Sequence, residues 1–173
     1  MSPVVLPKIY VTRWSCNNSK KLRRGVWIDV TKGVDAVQKS IDEWMRFVSG
    51  SNWMVADTQG FHPVQVNKYA SVEEICQLAD FIQQHGKFGR LLLASHRSCL
   101  YYAEQDLKHC YCGVWKSLND FSVEFFQKDF SCIADSFDND FFFIKEDDLF
   151  HVFTCDDLKN INKAEIKNKV EKN

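Results

Sequence analysis

A chain of 173 residues with 45% apolar residues, 14 Phe and 5 Trp can bury a real core, so disorder over most of its length is excluded. No apolar run is long enough for a transmembrane helix, and the opening "MSPVVLPKIYVTRW" lacks the charged and apolar regions of a signal peptide. The formal net charge of −1 hides a polarity that points to a charged partner.

Residues 1–50 carry nine basic and four acidic groups (+5), and residues 51–100 carry four of each. Residues 101–158 carry four basic and thirteen acidic groups (−9), and residues 159–173 carry five Lys and two Glu (+3). The seven cysteines (Cys16, Cys76, Cys99, Cys110, Cys112, Cys132 and Cys155) are odd in number and sit in apolar surroundings. They read as free, mostly buried thiols in a reducing, cytoplasmic compartment.

In chain order, "KIYVTRW" (8–14) alternates and is β-branched and aromatic, so it predicts a strand. "RGVWIDV" (24–30) predicts a second, with Val26, Ile28 and Val30 on one face. The polar "SCNNSKKLR" between them suggests a hairpin with a long basic loop. Val34, Val37, Ile41, Trp44, Met45 and Val48 form a helical stripe over 34–48. "NWMVADT" (52–58) predicts a third strand and closes a ββαβ unit.

After a connection over 60–70, Ser71-Val72-Glu73-Glu74 has capping-box spacing. Ile75, Leu78, Ala79 and Ile82 make the apolar face of that helix, and Gly86 is a natural stop. A second helix is predicted over about 89–104, with Leu91 to Leu93, Cys99 and Leu100. "DLKHCYCGVW" (106–115) predicts a strand, and Ser117 to Asp120 resembles another capping box before Leu118, Phe121 and Phe125. "FFFI" (141–144) predicts a buried strand, followed by a short helix with Leu149 and Phe150 inward. The Lys/Asn-rich segment 159–173 is expected to fray. Both "KKLRRGVWIDV" and "LKHCYCGVWKS" place Gly-Val-Trp on a strand before a helix, a weak internal echo.

The resulting expectation is an α+β chain of three small subdomains. These are a ββαβ unit over 1–62, a helical middle over 63–105 and an acidic α+β unit over 106–158, with a basic tail over 159–173.

Chemistry at a catalytic site needs converging groups, and His62, His85, His96, His109 and His151 are scattered. No catalytic residue is assigned. His96-x-x-Cys99 and His109-Cys110-x-Cys112 supply zinc-ligand types, but Cys110 and Cys112 lie in an alternating strand without a knuckle glycine. No metal or cofactor is expected. Phosphate-cradling and nucleophile-elbow motifs are absent from the sequence.

Lys20, Lys21, Arg23 and Arg24, with Arg13 and Trp14 nearby, read either as a solvated hairpin tip or as a nucleic-acid contact. In "DSFDNDFFFIKEDDLF" (135–150), Asp138-Asn139-Asp140 lacks the alternate spacing and glycine of a calcium loop. The carboxylates instead read as the outward face of a Phe-anchored framework. Such a face either keeps the protein soluble or imitates the dense charge of duplex DNA, one phosphate per ~1.7 Å of axis.

The order of these segments resembles the ArdA family of antirestriction proteins across about residues 7–158. The resemblance rests on Gly25-Val26-Trp27-Ile28-Asp29, Asp57-Thr58-Gln59-Gly60-Phe61 and Ser71-Val72-Glu73-Glu74-Ile75. It also rests on the segment Tyr111 to Phe121, "YCGVWKSLNDF". It implies an elongated chain that pairs through its C-terminal subdomain into a homodimer. It further implies a non-enzymatic DNA mimic that fills the DNA groove of a type I restriction-modification enzyme.

Carried onto this sequence, the mimicking carboxylates are Asp120, Glu124, Asp129, Asp135, Asp138, Asp140, Glu146, Asp147 and Asp148. The basic first third departs from that pattern. It either confines mimicry to the last third or suits a target of mixed sign, such as a CRISPR effector with its guide RNA. A rival reading is a small nucleic-acid-binding protein that uses Arg13 and the basic hairpin.

Overall fold

The computed structural model describes residues 5–13, 25–48 and 52–155, without the side chains of residues 136, 138 and 139. Contacts cluster into two compact units divided between Leu100 and Tyr101. The architecture is mixed α+β, with a three-stranded antiparallel sheet in each unit.

The first sheet has β1 (Lys8–Arg13) at its centre, between β2 (Gly25–Asp29) and β3 (Trp53–Gln59). Alternation sets the register: Ile9 pairs with Ile28, and Val11 pairs with both Val26 and Val55. Ile9 and Val11 are wholly buried. The hairpin-type pairing of β1 with β2 is as predicted, while its connecting loop lies outside the described residues.

A single 3-10 turn, Val30–Lys32, follows β2. Asp29 accepts from Thr31 N at 3.0 Å and from Thr31 Oγ1 at 2.6 Å. Those bonds hold its carboxyl below the ordinary range. Helix α1 (Val34–Met45) then contacts β2 and the later helix α2 (Val72–Ser95).

The stripe predicted to reach Val48 is shorter. Only Val37 and Ile41 are buried in α1, and Phe47 N and Val48 N bond three residues back, tightening the end into turns. Helix α2 opens with the expected capping box: Glu74 N donates to Ser71 Oγ, and Ser71 N donates to Glu74 Oε2. Ile75, Leu78, Ala79 and Ile82 are buried as predicted.

Gly86 breaks the helix at φ 61, ψ −135, backbone geometry that side chains disfavour, and the chain resumes helical winding to Ser95. The single helix predicted over 89–104 is interrupted at residues 96–99. Arg97 and Ser98 there are left-handed, and α3 (Leu100–His109) starts afresh.

In the second unit, α3 extends through residues predicted as strand. Cys110 N bonds to Asp106 O in helical register, so β4 is only Tyr111–Trp115. Helix α4 (Leu118–Phe126) is capped by Ser117 Oγ, which accepts from Asp120 N. Next come a 3-10 turn (Phe130–Cys132), α5 (Ala134–Asp140), β5 (Phe141–Glu146) and β6 (Leu149–Thr154). The strand order is β4-β6-β5.

The helix expected around Leu149 and Phe150 is strand β6. Asp147, left-handed at φ 51, and Asp148 form a two-residue turn that pairs Glu146 with Leu149. Leu149 consequently faces out, and Phe150 is half-buried. "FFFI" is not buried throughout: Phe141 and Ile144 are, while Phe143 on the sheet edge is 42% exposed. The cysteines differ too. Of the six described, Cys76 and Cys110 are buried, three are half-buried and Cys132 is exposed.

The core of this unit is a cluster of Phe121, Phe125, Phe126, Ile133, Phe137, Phe141 and Val152. Phe121 sits at its centre, with ring centroids 4.8 Å from Trp115, 5.1 Å from Phe125 and 5.5 Å from Phe141. The Gly-Val-Trp echo is topological only. Both copies lie on a sheet-edge strand beside the central strand, but Trp27 is exposed against Tyr10 whereas Trp115 packs inward on Phe121.

Candidate interaction surface

The nine acidic candidates fall on the surface elements that wrap the Phe core. Asp120 is exposed in the first turn of α4, where a carboxylate also suits the helix dipole. Asp129 is exposed just before the Phe130–Cys132 turn, whose Cys132 N bonds to the Asp129 carbonyl. Asp135 is exposed on α5, and Asp147 and Asp148 are exposed at the tip of the β5-β6 hairpin. The side chain of Asp138 lies outside the described residues.

Three candidates are less available. Asp140 is half-buried at the end of α5, where its carbonyl accepts from Cys155 N. Glu124 is exposed, but its Oε2 accepts the indole N–H of Trp115 at 2.8 Å. Glu146 is half-buried, and its Oε2 lies 3.2 Å from Nε2 of His151.

These positions are held from beneath. Ser122 Oγ donates to Lys128 O at 2.6 Å, and Phe130 N donates to Asn119 Oδ1 at 2.9 Å, fixing the α4-to-turn connection. The exposed charge of this unit is not of one sign, since Lys116, Lys128 and Lys145 are exposed as well. Lys145 Nζ lies 5.3 Å over the ring of Phe150.

Sequence reasoning missed one polar chain. The Tyr111 hydroxyl lies 3.0 Å from Nδ1 of His151, whose other ring nitrogen faces Glu146. Burial pushes the Tyr111 hydroxyl pKa up. The signal was the alternation of β4 and β6, which becomes readable only when their register is known: His151 pairs with Val114 and Ile144, with Tyr111 across from Phe153.

Among the basic candidates, Arg13 is exposed at the end of β1. Lys20, Lys21, Arg23 and Arg24 lie outside the described residues. Among the described residues, no three His, Cys, Asp or Glu side chains group closely enough to hold a metal ion, and no helix is long and apolar enough to cross a membrane.

A family model described as "Antirestriction protein (ArdA)" matches residues 9–163. No curated protein and no solved structure matches the chain.

Proposed function

The chain belongs to the ArdA family of antirestriction proteins, and we propose that it inhibits a type I restriction-modification enzyme by competing with DNA for the enzyme's binding groove. The family match across residues 9–163 is the observation that carries this reading. In mechanism, exposed carboxylates engage Arg and Lys side chains that otherwise hold phosphates. Asp120, Asp129, Asp135, Asp147 and Asp148 are the groups best disposed for it, because they are exposed. Their elements carry or flank Phe121, Phe137 and Phe141, which are packed into one core. A surface built on such packing loses little conformational freedom on binding.

The reading includes a homodimer formed through the second unit, action in the cytoplasm and no catalysis. A second reading draws on the +5 balance of residues 1–50. A target that pairs protein with nucleic acid, such as a CRISPR effector with its guide RNA, complements a chain with both signs. Plating phage on hosts carrying either defence system, with and without this chain, separates the two readings. Raised plating only on the type I host supports restriction inhibition. Raised plating only on the CRISPR host replaces it with the second reading, and protection on neither host removes both.

A further inference from the structure

The end of α2 departs from ordinary helix-stop chemistry. Ser98 N donates to Leu93 O at 2.7 Å and Arg97 N to Ala94 O at 3.1 Å, the paired bonds of a Schellman stop. Glycine usually occupies the left-handed position that follows the helix, since it alone adopts it without steric cost. Here Arg97 at φ 52 and Ser98 at φ 65 occupy consecutive left-handed positions. Non-glycine residues held this way concentrate at functional sites, where the side chain is retained despite the backbone strain.

Those two side chains border a cavity of about 360 Å³ whose lining includes Gln65, Asn67, Glu74, Gln77, Arg97 and Ser98. An adjoining cavity of about 240 Å³ shares Gln65, Arg97 and Ser98. Both lie within the first unit. Ser98 Oγ accepts the backbone N–H of Gln65 at 2.9 Å, which leaves its own hydroxyl hydrogen to donate. Among the described residues, Arg97 makes no ion pair. Glu74, the only carboxylate of the lining, has Oε2 tied to Ser71 N in the capping box. The lining thus combines hydroxyl and amide donors with a guanidinium that no described carboxylate contacts, while its one carboxylate is engaged by the Ser71 backbone.

We propose that this cavity binds a compact small molecule bearing a carboxylate or phosphate group, with Arg97 as its counter-ion and the Ser98 hydroxyl as a second donor. The volume lies at the small end of the range for such ligands. A guanidinium suits either oxyanion because its fork matches two oxygens at once. The inference stands independently of the antirestriction reading.

The test uses the full chain with two probes, succinate for a carboxylate and adenosine monophosphate for a phosphate. Binding is read by calorimetry and by alkylation of Cys99, which also lines the cavity, with exposed Cys132 as internal reference. One probe is expected to bind saturably and, at about ten times its Kd, to slow Cys99 alkylation about tenfold while Cys132 reacts unchanged. Whichever probe binds identifies the ligand class.

Arg97→Gly relieves the left-handed strain, so it should fold at least as stably as the parent while binding the probe about tenfold or more weakly. Arg97→Gln, which keeps the strain, should lose binding equally. Binding of neither probe, equal protection of Cys132, or undiminished binding by both variants would overturn the proposal.

Discussion

The indole N–H of Trp115 on β4 donates to Oε2 of Glu124 on α4 at 2.8 Å. The bond ties a residue of the Gly-Val-Trp segment to one of the nine acidic candidates, and it sorts that candidate from its neighbours. Glu124 serves the packing of α4 against β4, where Trp115 also meets Phe121. Trp115→Phe keeps most of the ring contact and removes the donor, so it should cost about 1 kcal/mol in chemical denaturation. Glu124→Gln keeps an acceptor and should leave inhibition within about twofold. Neutralising Asp147 and Asp148 together, at the exposed hairpin tip, should weaken it about tenfold with little change in stability.

Phe121 should be the most sensitive position of the second unit. Its ring is wholly buried and meets Trp115, Phe125, Phe126, Phe137 and Phe141. Phe121→Ala should destabilise by about 3–5 kcal/mol, read as a lower denaturant midpoint. Phe121→Leu should recover much of that loss, because it restores most of the volume.

At the start of α2, Ser71 and Glu74 satisfy each other's backbone N–H groups. Ser71→Ala should cost about 1 kcal/mol, a fall in Tm of about 2–4 °C at this chain length. Ser71→Asp, which still offers an acceptor, should hold the parent value.

His85 carries a pH dependence whose sign follows from its surroundings. Burial lowers its pKa below the ordinary 6.5, with the Phe81 ring centroid 4.5 Å away. Above 6.5 the imidazole is neutral in both states and no stability is lost. As pH falls from 6.5 through the lower folded value, the unfolded chain takes up the proton first and stability declines. His85→Gln should flatten that limb of a pH-stability curve, with the parent falling away from the variant as pH drops below 6.5.

Much of the first unit was legible in the sequence because its signals are local. Alternation marked β1, β2 and β3, and the Ser71 box marked the start of α2. The errors arose where one pattern supports two structures. "DLKHCYC" alternates, yet its first four residues extend α3, because helical hydrogen bonding carries on to Cys110. "DDLF" suggested a helix, yet left-handed Asp147 turns the chain into β6. The Arg97-Ser98 break was invisible because no glycine marks it. The acidic positions were readable as a composition, but the engagement of Glu124 by Trp115 and of Glu146 by His151 depends on sheet register and packing.

The central claim is competition with DNA through the acidic surface. Its most direct test is displacement of a labelled duplex from a purified type I restriction-modification enzyme, titrated with this chain at two salt concentrations. The account predicts stoichiometric displacement that weakens as salt rises. It also predicts that a variant with Asp120, Asp129, Asp135, Asp147 and Asp148 changed to Asn displaces at least about tenfold less well while remaining folded. A duplex that stays bound at excess inhibitor, or displacement by that variant equal to the parent's, would contradict it.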